Sequence, residues 1–128
     1  TFLFNSLSTA HASFKSRTYI TPLENQLKQL HLEISNSLEQ KHSIARCAKQ
    51  LNISESYFQL IYKKLFGISF QQDLILMRVT RARFNLSTSN LSLSQIAEFC
   101  GYNNEVHFYR QFKKLTGVTP AQYRKHPF

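Results

Sequence analysis

The 128-residue chain carries 16 Lys and Arg against 7 Asp and Glu, a formal charge of +9, with 42% apolar residues and only 3 Gly and 3 Pro. That apolar content suffices for a buried core, and the scarcity of Gly, Pro and strand-like alternation points to an all-α fold of one domain or two small ones. No apolar run of about 18 residues is present to cross a membrane, and no secretory-leader pattern is visible, so a cytoplasmic location is expected.

Residues 1–20 carry no clear period and are expected to be a linker or the remnant of an upstream region, with a folded domain over 21–128. A helix is expected over 21–38. Thr21 suits its cap and Pro22 its first turn, and Leu23, Leu27, Leu30, Ile34 and Leu38 line one face. That face should pack on the segment that follows.

The next segment is the first copy of an internal repeat. It runs from Ile44 to Ser69, and its counterpart runs from Leu93 to Thr119. Ala48 matches Ala97. Phe58, Lys63-Lys64-Leu65 and Gly67 match Phe108, Lys113-Lys114-Leu115 and Gly117 with one extra residue in the second copy. Each copy reads as helix, tight turn, helix. In the first, over about 43–66, Ser43 caps a stripe of Ile44, Cys47, Ala48 and Leu51 at helical spacing. Asn52 supplies a left-handed exit, Ile53 plugs the corner and Ser54 caps the next helix. In the second, over about 92–116, Ser92 caps the stripe Leu93, Ile96, Ala97 and Cys100. Gly101 turns, Tyr102 plugs, and Asn103 or Asn104 caps. Two short helices joined by such a turn form a helix-turn-helix unit.

Between the copies, residues of about 70–86 form a bridging helix that is apolar on two sides. Phe70, Leu74 and Met77 lie on one side, and Ile75, Val79, Ala82 and Leu86 on the other. A helix of that kind is usually buried between neighbours, here the two units. The cysteines, Cys47 and Cys100, both fall on apolar faces. They are expected to be small core residues of a protein kept in a reducing compartment.

The charge is not spread evenly. In residues 1–40, Lys15, Arg17 and Lys28 balance Glu24, Glu33 and Glu39, so the whole +9 excess falls on the repeats and the helix between them. Concentrated positive charge attracts polyanions. Helix geometry, at about 100° per residue, then assigns the faces. In the second helix of the first unit Phe58, Ile61, Tyr62 and Leu65 face the core, leaving Ser56, Gln59, Leu60 and Lys63 outward. In the second unit Phe108, Phe112 and Leu115 face inward, leaving Val106, Tyr109, Arg110 and Lys113 outward.

A helix-turn-helix lays this outward face in the major groove of duplex DNA. Expected base contacts are therefore Ser56, Gln59, Leu60, Glu105, Val106, Tyr109 and Arg110. Arg110 suits guanine O6 and N7, Gln59 suits adenine, and Leu60 and Val106 have only apolar contact to offer, as to a thymine methyl. Glu105 and Glu55 would repel phosphate unless they accept from cytosine N4. Expected phosphate contacts are Arg46, Lys49, Ser54, Lys63, Lys64, Arg78, Asn104, Lys113 and Lys114. For Arg78, Arg81 and Arg83 on the bridging helix, structural pairing is an equal alternative.

Other chemistry finds little support. His11, His31, His42, His107 and His126 show no metal-ligand spacing, and no nucleophile stands in a catalytic motif, so neither an enzyme nor a metal or cofactor is expected. No stacking-sheet or loop-clamp motif suggests RNA. The remaining alternative is a basic helical protein-interaction module. A steep salt dependence of specific duplex binding separates the two.

The span from about Ser43 to Arg124 resembles the DNA-binding domain of the AraC/XylS family of bacterial transcription regulators. The matching elements begin Ser43…Ala48…Ser54-x3-Phe58-x3-Tyr62-Lys63-Lys64-x2-Gly67-x-Ser69-Phe70, then Arg78-x3-Ala82. They continue Leu93-x2-Ile96-Ala97-x3-Gly101-Tyr102, then Phe108-x-Arg110-x-Phe112-Lys113-Lys114-x2-Gly117-x-Thr119-Pro120-x2-Tyr123-Arg124. The resemblance implies about seven helices, two helix-turn-helix units joined by one long helix, promoter DNA as ligand and activation through RNA polymerase. It also implies, in many members, a separate upstream sensing or dimerisation domain. The isolated domain is expected to be monomeric. Leu60 departs from the polar reader common in the family, Asp73 from an aromatic, and Asn85 from Leu.

Overall fold

A computed structural model describes residues 21–127. Among them are seven helices and no strand: α1 (Pro22–Ser35), α2 (Ile44–Leu51), α3 (Glu55–Phe66), α4 (Phe70–Thr88), α5 (Leu93–Phe99), α6 (Glu105–Thr116) and α7 (Pro120–Lys125). The expectation for residues 1–20 lies outside the described residues.

Every helix starts on a side-chain oxygen that accepts from a backbone N–H three residues on. The caps are Thr21, Ser43, Ser54, Ser69, Ser92, Asn104 and Thr119. Each satisfies one of the donors that a helix start leaves unpaired. The two inner turns differ in means and agree in effect. Asn52 adopts φ 60° and ψ 44°, while Gly101 adopts φ 94°. In both, the next residue reaches back five positions, Ile53 N–H to Ala48 O at 3.0 Å and Tyr102 N–H to Ala97 O at 2.9 Å.

α1 ends three residues short of the 21–38 expectation. The Ser35 hydroxyl donates to Leu32 O at 2.8 Å and that of Ser37 to Glu33 O at 2.7 Å. Such local bonds compete with helix propagation. Leu38 still enters the core, from the connection rather than from the helix.

The core consists of two apolar clusters. One gathers Leu27, Leu30 and Ile34 of α1 with Cys47, Phe58 and Tyr62. The other gathers Ile96, Cys100, Tyr102, Phe108, Phe112 and Tyr123. α4 enters both as its two-sided pattern implies, giving Phe70 and Leu74 to the first and Val79, Ala82 and Leu86 to the second. Both cysteines are buried, and burial raises each thiol to about 11. A thiol so raised is protonated and inert at neutral pH.

Leu115 is a correction. Expected in the core, it is 45% exposed. The inward side of α6 is centred on Phe108 and Phe112, with Tyr109 packed against the same cluster. That rotation leaves position 115 at the rim. In α3 the corresponding Leu65 is half-buried, packed against the first cluster.

Asp73, an apparent departure in sequence, is a buried carboxylate tying three helices together. Tyr62 Oη donates to its Oδ2 at 2.6 Å, and His31 Nε2 lies 3.2 Å from the same oxygen. Burial, and then the bond to Asp73, push the Tyr62 phenol far above its ordinary range. A buried carboxylate is tolerable only when partnered in this way. α7 closes the second cluster through Tyr123. Its Arg124 caps the end of α4, with Nε to Leu86 O and Nη2 to Ser89 O, both at 3.3 Å.

A Cβ on Gly101 would sit 2.1 Å from Leu38 O, whereas one on Gly67 or Gly117 meets nothing within 4 Å. All three have positive φ, for which a side chain costs roughly 1–2 kcal/mol. Gly101→Ala carries a backbone overlap as well, worth about 1–3 kcal/mol more. Urea unfolding of the three Ala variants is expected to single out Gly101→Ala as clearly the least stable. Equal midpoints would remove that close approach.

Candidate nucleic-acid interface

The outward faces of α3 and α6 follow from what their other sides bury. Phe58 and Tyr62 lock one side of α3 into the first cluster, and Phe108 and Phe112 lock one side of α6 into the second. On α3 this leaves Ser56, Gln59, Leu60, Lys63 and Lys64 exposed, and on α6 Val106, Arg110, Lys113 and Lys114. Leu60 is 64% and Val106 59% exposed, each two residues from a buried aromatic of its own helix.

Two expected base readers sit differently. Tyr109 is half-buried, its ring 5.9 Å from that of Phe108, so its body packs inward. Burial, and then the Glu105 carboxylate, raise its phenol. Glu105 is half-buried in the first turn of α6, and Glu55 is exposed in the first turn of α3. A carboxylate there is stabilised by the positive end of the helix dipole, which explains its presence without DNA.

Among the phosphate candidates, Lys63 and Lys64 lie in the last turn of α3, and Lys113 and Lys114 in the last turn of α6. Lys49 and Arg46 are exposed on α2, with Arg46 Nη1 donating to Lys41 O at 3.3 Å. Ser54 and Asn104 cap the two recognition helices. Ser54 Oγ accepts from Tyr57 N–H at 3.1 Å and Asn104 Oδ1 from His107 N–H at 2.8 Å.

Arg78, expected at phosphate, is a correction. Its guanidinium turns into the molecule, with Cζ 5.9 Å from the Tyr102 ring centre and Nη2 donating to Gln40 O at 3.5 Å. The open alternatives for its neighbours resolve the same way. Arg81 Nη2 donates to Ser35 O at 2.9 Å, and Arg83 stacks on the Tyr123 ring at 5.6 Å. The long helix offers its arginines to packing because two units crowd it.

The sequence reading missed Ser69 and Gln71. They line one shallow depression with Gln59, Leu60, Lys63 and Lys64, where the start of α4 meets the outward face of α3. The signal was available, since Ser69 caps a helix that begins directly after α3. Among the described residues no group of three or more His, Cys, Asp and Glu side chains is placed to hold a metal ion. Nor is any of their helices long and apolar enough to cross a membrane.

Comparison with known proteins agrees with this arrangement. The signature of a helix-turn-helix domain family matches residues 47–126. The chain is 34% identical over 92 residues to YtdP, an uncharacterized HTH-type transcriptional regulator of Bacillus subtilis, covering 72% of this chain and 12% of that protein. The C-terminal domain of AraT, a response regulator from Geobacillus stearothermophilus, superposes with a TM-score of 0.76 at 31% identity, covering 82% of this chain and 88% of that one. The DNA-binding domain of AdpA, a global transcriptional factor solved in complex with a target DNA, superposes with a TM-score of 0.75 at 27% identity, covering 78% and 90%. The chain spans between 12% and 35% of the length of three curated relatives that it matches. The matched signature, the seven-helix order and the paired recognition helices agree: the chain belongs to the AraC-type helix-turn-helix family of DNA-binding transcription regulators.

Proposed function

We propose that the chain binds promoter DNA as a monomer, laying α3 and α6 in two successive major grooves of a bipartite, non-palindromic site. The observation that carries this reading is that both units of one chain expose the corresponding face of their second helix, with Lys63 and Lys64 in the register of Lys113 and Lys114 and with Leu60 exposed where the second unit exposes Arg110. Two recognition helices from one chain make a second subunit unnecessary. Their half-sites are then about 34 Å apart, one turn of DNA. In the cell, the bound protein is a cytoplasmic activator acting through RNA polymerase.

Arg110, Gln59, Ser56, Leu60, Val106, Glu105 and Tyr109 are the proposed base readers. Arg46, Lys49, Ser54, Asn104 and the four recognition-helix lysines hold the backbone. Selection from a random duplex pool tests the whole reading, with a two-part asymmetric site as the expected result. A strictly palindromic site bound only by dimers would refute it. A promoter-reporter assay with the recovered site tests activation.

The two units should read by different chemistry. Arg110→Ala is expected to cost about 1–3 kcal/mol of binding and relax preference at about one or two base pairs. Leu60 has no hydrogen bond to give, so its partner is a thymine methyl. Replacing one thymine by uracil in the first half-site is expected to weaken the wild type and leave Leu60→Ala unchanged. If no uracil in that half-site matters, the first unit is an anchor rather than a reader.

A further inference from the structure

The principal helix packing lies within each unit or between a unit and α4. The two apolar clusters are likewise separate, and α4 is the helix that enters both. Two units strung on one helix are free to tilt unless something touches across the gap.

Such a contact exists at the middle of α4. Gly101, the turn of the second unit, lies against the α1–α2 connection, so that an added Cβ would meet Leu38 O at 2.1 Å and Arg78 Nε at 2.9 Å. Arg78 emerges from α4 into this seam. Its guanidinium stands over Tyr102 of the second unit, and its Nη2 reaches Gln40 O on the side of the first. Arg81 donates to Ser35 O at the end of α1, beside that connection. A planar guanidinium can lie on a ring and donate in its own plane at once, which an ammonium cannot. Arg78 Nε is buried without a partner. An unpaired buried donor lowers stability, so the value of this side chain lies in where it holds the second unit.

We propose that Arg78 is a positioning residue. Through the seam with Gly101, Tyr102 and the Leu38 and Gln40 backbone, it sets the displacement of α6 from α3 and hence the half-site spacing that the chain accepts. This rests on the two-groove reading above. One added base pair shifts a half-site by about 3.4 Å along the duplex and turns it by about 35°. A rigid seam rejects that change, and a loosened one follows it.

The test uses the whole chain and duplexes carrying both selected half-sites with the spacer changed by one or two base pairs. Wild-type affinity is expected to fall about tenfold or more one base pair away from its optimum, the scale of one lost base contact. Arg78→Met keeps the apolar stem without the planar head, and is expected to bring that ratio close to unity. A residue that only supported the fold would lower the melting temperature and leave the spacing profile unmoved. A steep Arg78→Met profile at the wild-type optimum therefore overturns the proposal. If circular dichroism shows that Arg78→Met does not fold, Arg78→Lys, which keeps charge and stem, is measured and read in the same way. A flat profile for the wild type means that the seam does not fix the spacing, and it overturns the proposal alone. The two-groove reading fails separately, if scrambling either half-site leaves wild-type affinity unchanged.

Discussion

Raising the salt concentration from 50 to 200 mM is expected to weaken binding to the selected duplex by about 10³–10⁵-fold, if about 6–10 phosphates are neutralised. The basis is where the charge sits. The whole formal excess of +9 lies beyond residue 40. Lys63, Lys64, Lys113 and Lys114 stand exposed in the last turns of the two recognition helices, with Arg46 and Lys49 exposed on α2. Cations there displace the counterions condensed on DNA, and each displaced ion steepens the salt dependence. Arg78 and Arg81 are engaged by Tyr102 and by backbone carbonyls, so they are left out of this set. Replacing any one of the four lysines by Ala is expected to reduce the slope of log affinity against log salt by about 1, equally for specific and scrambled duplexes. Arg110→Ala, by contrast, should act mainly on the specific duplex. A flat salt response across the series would mean that the charge serves another partner, and the basic interaction-module reading would take its place.

Phe58→Ala and Phe108→Ala are each expected to cost about 3–5 kcal/mol of folding stability. Both rings are 0% exposed and central to their clusters. Phe58 lies 5.4 Å from the Phe70 ring and 5.7 Å from Tyr62, and Phe108 lies 5.3 Å from Tyr102 and 5.9 Å from Phe112. Truncation removes apolar area and leaves a cavity that rings held on separate helices cannot close. A domain of this size has about 5–15 kcal/mol in all, so either variant loses a large fraction of it. Urea midpoints should fall for both, and DNA affinity should recover toward wild type under conditions that restore the fold. An unchanged midpoint would mean that α3 or α6 faces the other way, and the outward residues named above would have to be reassigned.

Much of this was legible in the sequence because it is local. The repeat placed both units, and the caps Ser43, Ser54 and Ser92 fall where short-range chemistry puts them. The two-sided pattern of α4 anticipated which of its residues enter which cluster. What was not legible depended on contacts between distant segments. Six residues are too few for α7 to display a period, and its place follows from Tyr123 entering a cluster built by α4, α5 and α6. Asp73 reads as a departure until Tyr62 and His31, from two other helices, are seen to partner it. Leu115 follows the helical period yet lies at the rim, since period alone does not say how a helix is rotated on its neighbours.

The sequence by itself determined the all-α class, the two helix-turn-helix units and the aromatic residues, Phe58, Tyr62, Phe108 and Phe112, that their second helices bury. Those features rest on the 3.6-residue period, on caps and on turn-forming residues, all of which act within about one or two turns of chain. Tertiary structure alone decided which positive charges remain available to a polyanion and which are spent inside. Arg78 and Lys63 are both basic residues on helices in the charged part of the chain. One is drawn over Tyr102 and onto Gln40 O, and the other is left in solvent. That choice is made by which carbonyls and rings lie within reach once the second unit docks on α4, and no local pattern encodes it.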